Sequence, residues 1–447
     1  MNEPIFIARQ DTLEQEILPV HWLAQYKLFG EESYTFQDKE IWKKLCMSSA
    51  AANDRDMHAE ALEEMLTTFS AEHTGKWMLT VYGMDAAVLE GLASMAAIAA
   101  NGTAMAAVAG NALLMHAITN SETAMQAISR SQTAMQRIAN STTAMDAISG
   151  SKIARGAVQA SPYYNSYIKE NDMAIAKLVV SFANLASAGY SGMAGVAADA
   201  TAMNAVAASS TAMNAVAASS TAMNAVAASS VARNAISASP YYDAKIKEND
   251  MAIAKLVVGF ANLESARYSG CAGMAADSTA MTAVAASSTA MTAVAASSTA
   301  MTAVAASGVA LKAIAQAYKK TANMLQFLKA VNASDTLVKR IYSTLTNATA
   351  LFGAAQLGSQ DSVENANSWA TTSAAPNAFL ACACGYYGSS SDSVSVTYNG
   401  TVIAQKKTGT KQPGSVASTN VNAITMAPST FTENGDGYLA VQKFTAK

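Results

Sequence analysis

"TAMNAVAASS TAMNAVAASS TAMNAVAASS", residues 201–230, states the same ten residues three times. A catalytic pocket needs different groups at unique places, whereas this stretch offers one small set of side chains at regular intervals, and regularity builds length. The decad recurs as Met95/Ile98, Met105/Val108, Met115/Ile118, Met125/Ile128, Met135/Ile138 and Met145/Ile148, then Met203/Val206, Met213/Val216 and Met223/Val226, and finally Met281/Val284, Met291/Val294, Met301/Val304 and Leu311/Ile314. Both positions stay apolar while the residue after the methionine varies among Ala, His, Gln, Asp, Asn and Thr. That contrast separates an inward pair from an outward position.

Three conformations can produce such a decad. In a long α-helix, ten residues fall about 80° short of three turns, so several helices would wind about one another in an overwound coil, the repeat acting as a heptad with a three-residue stammer. Alanine favours this, since it loses no side-chain entropy. A second solution is a stack of short helices, each capped by the Ser or Thr clusters, that depend on their neighbours. A β-solenoid would have to build strands from Ala and Met, which fit a pleated surface poorly. The coil is the expectation and the short-helix solenoid the alternative.

The repeat is interrupted twice by the same insert. "SPYYNSYIKENDMAIAKLVVSFANLASAGYSG" from Ser161 returns as "SPYYDAKIKENDMAIAKLVVGFANLESARYSG" from Ser239. Pro162 and Pro240 should end or kink the preceding helix, and the larger aliphatic residues that follow predict an amphipathic helix. Tyr163, Tyr164, Tyr241 and Tyr242 fit an elbow or a sideways contact between chains, so the insert is expected to be a joint in a shaft rather than a ligand site.

The ends differ from the repeat. Residues 1–80 have ordinary globular composition, with helical periodicity in "DRDMHAEALEEMLTTFSAEH" and three tryptophans, Trp22, Trp42 and Trp77, as candidate docking anchors. Residues 321–359 carry a stronger helical stripe through Met324, Phe327, Leu328 and Val331 and then a linker, a helical clamp. Residues 360–447 change period: "SVSVTYNGTVIAQK" alternates and turns at Asn399-Gly400. Together with "FLACACGYY" and "GYLAVQKF" it predicts a small all-β tip. Tyr386, Tyr387, Tyr398, Asn399, Phe431 and Tyr438 are its candidate receptor-facing residues, although the core is the expected place for most of these aromatics. The expected domains are therefore 1–80, repeat 81–160, joint 161–200, repeat 201–238, joint 239–278, repeat 279–320, clamp and linker 321–359, and β tip 360–447.

Composition excludes several functions. Lys plus Arg number 29 against 32 Asp plus Glu, a formal charge of -3 that announces no basic face for nucleic acid. The four cysteines, Cys46, Cys271, Cys382 and Cys384, make no disulfide framework in a chain of 447 residues, and no histidine lies near Cys382 and Cys384 to complete a zinc site. They are expected to be buried thiols. The acidic opening lacks a secretion signal, and residues 92–110 carry too many polar and small residues to span a membrane. His21, His58 and His73 have no spacing that demands an acidic partner, and Asp392, Glu433 and Asp436 impose neither carboxylate catalysis nor calcium. No catalytic residue, metal or cofactor is assigned.

Residues 84–320, through "TTAMDAIS", "TAMNAVAASS" and "TAVAASSTA", resemble bacteriophage tail-fibre and virion-appendage proteins with runs of "SSTAMNAVAAS". The resemblance implies a non-enzymatic structural fibre of the virion, assembled in the host cytoplasm. Its N-terminal part would attach to other virion proteins, and its C-terminal part would meet a bacterial surface glycan or outer-membrane protein. A head or neck appendage is the near alternative; a bacterial surface adhesin and a glycan-degrading tailspike are the more distant ones. The expected architecture is an elongated fibrous homo-oligomer, by default a homotrimer, with a mainly α-helical shaft.

Overall fold

An extended capping residue starts each of the decad helices from Gly102 to Ala160, preceded after two of them by one further turn residue, Arg130 or Asn140. In the computed structural model, which describes Met84, Val88, Leu92 and residues 94–447 except 318–320, 362–367, 372–376, 387–392, 408–409, 412–414, 427–428 and 435–436, the chain is mainly helical with a small β region at its C-terminus. It divides into two compact units, Met1–Ala222 and Met223–Lys447. Trp22, Trp42 and Trp77, with the whole of residues 1–80, lie outside the described residues.

In the first unit the decads fold as separate short helices, Gly102–Gly110, Ala112–Asn120, Glu122–Ser129, Gln132–Ala139, Thr142–Gly150 and Lys152–Ala160. Between them stand Asn111, Ser121, Ser131, Ser141 and Ser151. Ser141 has φ -108° and ψ 116°, and its side-chain oxygen accepts the Ala144 amide hydrogen, an N-cap that satisfies one orphan donor of the new helix. Each helix packs on the third helix along the chain, 102–110 on 132–139 and 112–120 on 142–150, so three decads complete one coil of a solenoid.

The inward stripe is broader than the Met/Ile pair. Ala134, Met135, Ile138 and Ala139 are all buried, as are Ala104, Met105, Val108 and Ala109 one coil earlier. The residue before the methionine is fully enclosed as Ala104, Ala124, Ala134 and Ala144, and as Leu114 before Met115. A second bond ties the coils. Ser131 Oγ donates to the Ala99 carbonyl, Ser141 Oγ to Ala109, Ser151 Oγ to Thr119 and Ser161 Oγ to Ser129, each at 2.6 Å and each 32 residues back. One hydroxyl thus accepts from its own helix and donates to the end of the helix below.

The decads therefore do not form the expected overwound coil of long helices. Alanine makes each decad helical, but the serine cap and one extended residue break the helix before it can continue. In the second unit, consecutive decad helices Ser278–Ala286 and Ser288–Ala296 bend by 103°, and Ser298–Ala305 and Gly308–Gln316 by 94°. Burial is achieved within each unit by successive coils of one chain.

The joints end the preceding helices where the prolines predicted. In the first unit, residues 161–192 supply one helical turn at Tyr164–Tyr167 and an 11-residue helix, Asp172–Phe182, after which Asn184 takes the left-handed conformation, φ 59°. The second unit repeats this with Tyr242–Lys245, Asp250–Phe260 and Asn262, φ 57°.

The expected clamp is the last coil of the second unit. Thr321–Asn332 packs on Ser288–Ala296, and Asp335–Asn347 packs on Ser298–Ala305, continuing the rule of three with larger side chains. Their other side meets strands: the Asn332 amide bonds both the carbonyl and the amide of Ile424, and Tyr342 Oη donates to the Val416 carbonyl, its ring edge-on to Phe444 at 5.7 Å. The strands begin earlier than expected, since β1, Phe352–Asp361, occupies what was assigned to the linker, with a register shift between Gln356 and Gly358.

The remaining strands are β2 (Ser368–Thr371), β3 (Ala378–Tyr386), β4 (Ser393–Tyr398), β5 (Thr401–Lys407), β6 (Thr410–Lys411), β7 (Ala423–Met426), β8 (Ser429–Asn434) and β9 (Gly437–Ala446). One sheet runs β1-β9-β3-β6 with β7 also on β3; the other runs β2-β8-β4-β5. The Asn399-Gly400 turn joins β4 to β5 with φ of 47° and 76°, as the dipeptide predicts. A continuous buried core extends from Ile253 to Phe444 within this unit.

Ser151 is buried and makes both hydrogen bonds, to the Ala154 amide at 3.3 Å and the Thr119 carbonyl at 2.6 Å. Ser151→Ala should lower stability by about 1–3 kcal/mol. The measurement is the denaturation midpoint of the full chain, and an unchanged midpoint would remove the inter-coil bond from this account.

Candidate functional site: duplicated joints and the terminal sheets

The joints hold most of the unusual polar chemistry among the described residues. In the first unit, Lys177 lies in the helix Asp172–Phe182 and is fully buried. Its amine donates to Asp146 Oδ1 at 2.5 Å and to the Ser187 carbonyl at 3.2 Å, and Ser187 Oγ donates to the same carboxylate at 3.3 Å. In the second unit, Lys255 Nζ meets Asn224 Oδ1 at 2.7 Å and the Ser265 carbonyl at 3.0 Å, with Ser265 Oγ on Asn224 Oδ1 at 3.0 Å. Both amines are engaged in fastening the loop after the long helix to a decad. This is an anchor, with acceptors where a nucleophilic lysine would need open space.

Carboxylates fasten the rest. Asp172 Oδ1 accepts from the Met193 amide at 2.8 Å, and Asp250 Oδ1 from that of Cys271 at 2.9 Å. Gly192 and Gly270 permit that approach, because a Cβ at either would stand 2.1 Å from the aspartate Oδ2. Glu170 accepts from the amides of Ser220 and Thr221 at 3.0 and 2.8 Å, at the start of a decad helix. Glu248 does the same for Ser298 and Thr299, both at 3.0 Å. A carboxylate is stabilising at that end of a helix. Tyr190 donates to Asp199 at 2.7 Å, and Tyr268 to Asp277 at 2.9 Å.

These contacts shift proton affinities. The Tyr190 hydroxyl, then the Ala202 amide, hold Asp199 below the usual carboxylate range. The Ala280 amide and Tyr268 do the same for Asp277. Burial works against ionised Glu248, but donors from Ser298 and Thr299 outweigh it and its value is lowered. Tyr242, one of the elbow tyrosines, is pushed up to about 12 by burial first and then by Asp243 and Glu248. Tyr163, Tyr164, Tyr241 and Tyr242 are half-buried in the joints of their own units. The Cys271 thiol is pushed up by burial, then by Asp250 and Glu248, which makes it unreactive; Cys382 is also buried.

The tip corrects part of the receptor-facing set. Tyr398 and Phe431 are fully buried between neighbouring strands and belong to the core. Their parity explains it: Val396, Phe431 and Trp369 are cross-strand partners, and Tyr398 lies two residues beyond Val396. Asn399 is exposed at the hairpin turn. Tyr386 and Tyr438 lie on the adjacent strands β3 and β9, opposite Gly437 and Gly385 respectively, and Tyr387 lies outside the described residues. Asp392 and Asp436 also lie outside them.

The opposite face of the four-stranded sheet escaped the sequence reading. Ser395 pairs with Thr432 and Gln405, and Thr397 with Thr430 and Val402. Ser395, Thr397, Thr430 and Thr432 are partly exposed, Gln405 is exposed, and Val402 is 53% exposed. The alternations "SVSVTY" and "STFT" carried the signal, with small hydroxylic residues on one side and Val, Tyr and Phe on the other.

Among the described residues, no group of three or more His, Cys, Asp or Glu is placed to hold a metal ion, and no single helix is long and apolar enough to cross a membrane. No family model and no curated protein matches the chain.

Two outcomes follow from the joints. Asn224 occupies, 78 residues on, the place of Asp146 and serves a buried lysine equally well. Asp146→Asn should therefore cost under about 1 kcal/mol, well short of the about 3–5 typical when one member of a buried ion pair is removed; chemical denaturation of the variant decides. The second concerns acid. Asp199, Asp277 and Glu248 have lowered values when folded, so their contribution is full above the ordinary carboxylate pKa and is lost as pH falls through the lowered value. The melting temperature should hold from about pH 7 to about pH 5 and fall below about pH 4. Circular dichroism melts across that range check it, and a rise on acidification would contradict the assignment.

Proposed function

We propose that this chain is a structural fibre protein of a bacteriophage virion, a tail fibre whose C-terminal β region meets the host surface. The observation that carries the reading is the division of labour in the decads. Ala, Met and Val or Ile close the coils inward, and the outward position, apart from Asp146 and Asn224 that bond the joints' lysines, varies among Ala, His, Gln, Asn and Thr, as a spacer allows. The resemblance of residues 84–320 to tail-fibre repeats points the same way. The joints favour it too, because their buried lysines and carboxylates are committed to fastening loops. Attachment to other virion proteins falls to residues 1–80, and assembly takes place in the host cytoplasm.

A head or neck appendage uses the same architecture, and immunogold labelling of virions distinguishes the two by where the label sits. A homotrimer would give the chain the avidity of three tips. The test uses the intact chain. Added in micromolar excess to host cells, it should block adsorption of the virus, and light scattering should give about three times 46.2 kDa. Failure to compete, together with absence of the chain from purified virions, would refute the fibre reading; a competing monomer would refute only the trimer.

A further inference from the structure

A chain with two nearly identical inserts risks docking one of them in the other's place, within a chain or between chains, as repeat proteins do when they misassemble. Residues 161–192 and 239–270 each send an 11-residue helix onto a decad: Asp172–Phe182 packs on Thr142–Gly150, and Gly259 of Asp250–Phe260 comes against Ala227 of Ser220–Ala228. Where the inserts differ, Ser181/Gly259 is the only position with both residues buried. Asn165/Asp243, Ser166/Ala244, Ala186/Glu264 and Gly189/Arg267 are exposed, and Tyr167/Lys245 is half-buried. The decad beneath changes in step. Ser149 and Ile148 of the first joint correspond to Ala227 and Val226 of the second, and all four are buried. All three changes, on both surfaces of the contact, are to a smaller side chain.

We infer that these residues form a register lock, which admits each long helix to its own decad and excludes it from the other's. At the second joint the approach is close. A Cβ on Gly259 would stand 2.8 Å from Ala227 Cα, 2.9 Å from its Cβ and nearer still to its carbonyl oxygen. These atoms belong to a helix, and Arg233 Nη1 holds the carbonyl at 2.5 Å, so the neighbour cannot swing aside as the end of a long side chain would. A helix bearing Ser181 therefore cannot close on Ala227 to this distance. At the first joint Ser181 is buried and donates to the Leu178 carbonyl at 2.9 Å, so helix and decad must stand farther apart there. The reverse error is also penalised. Gly259 set against Ile148 and Ser149 would leave a void where Ser181 stood, beside a Ser149 hydroxyl that already has no hydrogen-bond partner among the described residues. Lys177 and Lys255 do not discriminate, since Asp146 and Asn224 both serve an amine. Discrimination falls to steric fit.

The experiment uses the full chain. Gly259→Ser should lower the melting temperature by at least about 4 °C, although serine has the higher helix propensity and would raise it if there were room. Gly259→Ala, which adds the Cβ alone, takes its place if the serine variant does not fold. The lock itself is tested by giving the first joint the second's residues, Ile148→Val, Ser149→Ala and Ser181→Gly together, which removes bulk and leaves both native contacts possible. A companion triple with Ser181→Ala keeps a Cβ at that position and so stays excluded from Ala227. The fraction of expressed chain that elutes with the unaltered protein in gel filtration should fall at least about twofold for the glycine triple relative to the alanine triple, the rest being misdocked or swapped species. Equal recovery of the two triples, or an unchanged or raised melting temperature for the Gly259 variants, would overturn the lock.

Discussion

At Ser131, Ser141, Ser151 and Ser307 the stacking of the repeat depends on one hydroxyl making two hydrogen bonds. A capping serine accepts from the amide three residues ahead and donates to a carbonyl 32 residues behind, as Ser141 does with Ala144 and Ala109. The first bond starts a helix and the second fixes where that helix lies on the coil beneath. Helices of eight or nine residues are too short to persist alone in water, so the vertical bond and the enclosed Ala-Met-Ile-Ala stripe must act together. Their interdependence makes the ten-residue period strict: a shift of one residue would take the serine away from its carbonyl and turn the stripe out of the core.

The joints keep that logic while changing its parts. Where the long helix runs to eleven residues, the simple serine relay cannot reach, and Ser209 bonds Phe182 at a separation of 27 residues instead. Charged groups take over the fastening, with Lys177 and Lys255 holding the returning loop and Glu170 and Glu248 capping a helix about 50 residues on. Burying an ammonium is costly unless its donors are met, and the two copies meet it with different partners, Asp146 and Asn224. Geometry is shared between the copies and charge is not, so what the joint needs at this position is a well-placed acceptor oxygen.

How far this could be read from residues alone follows from where each signal is local. The inward pair, the proline breaks, the Asn399-Gly400 hairpin and the helical stripe at Met324 to Val331 are local patterns and were legible. Ser131, Ser141 and Ser151 were recognisable as caps, yet alanine's helix propensity outweighed them in the expectation of a coil. The bond that tips the balance joins residues a whole coil apart and leaves no local trace. At the tip, "SVSVTY" carries the parity that puts Tyr398 with Val396 in the core. The joint's anchoring of Lys177 had no sequence signal beyond its duplication, because its partner Asp146 belongs to an ordinary decad.

A stacked repeat must also stop. Each decad leaves an open apolar edge for the next, so a terminal coil needs a partner that will not propagate the stack. In the second unit the helices Thr321–Asn332 and Asp335–Asn347 accept the edge with Met324, Phe327, Leu328, Val338 and Ile341, of which Phe327 is bulkier than the Met, Leu, Ile and Val that the decads bury. Their remaining surface is bonded to β7 through Asn332 and to Gln442 of β9 through Tyr342. The β region is thus the means by which the stack ends as well as what the chain presents beyond it.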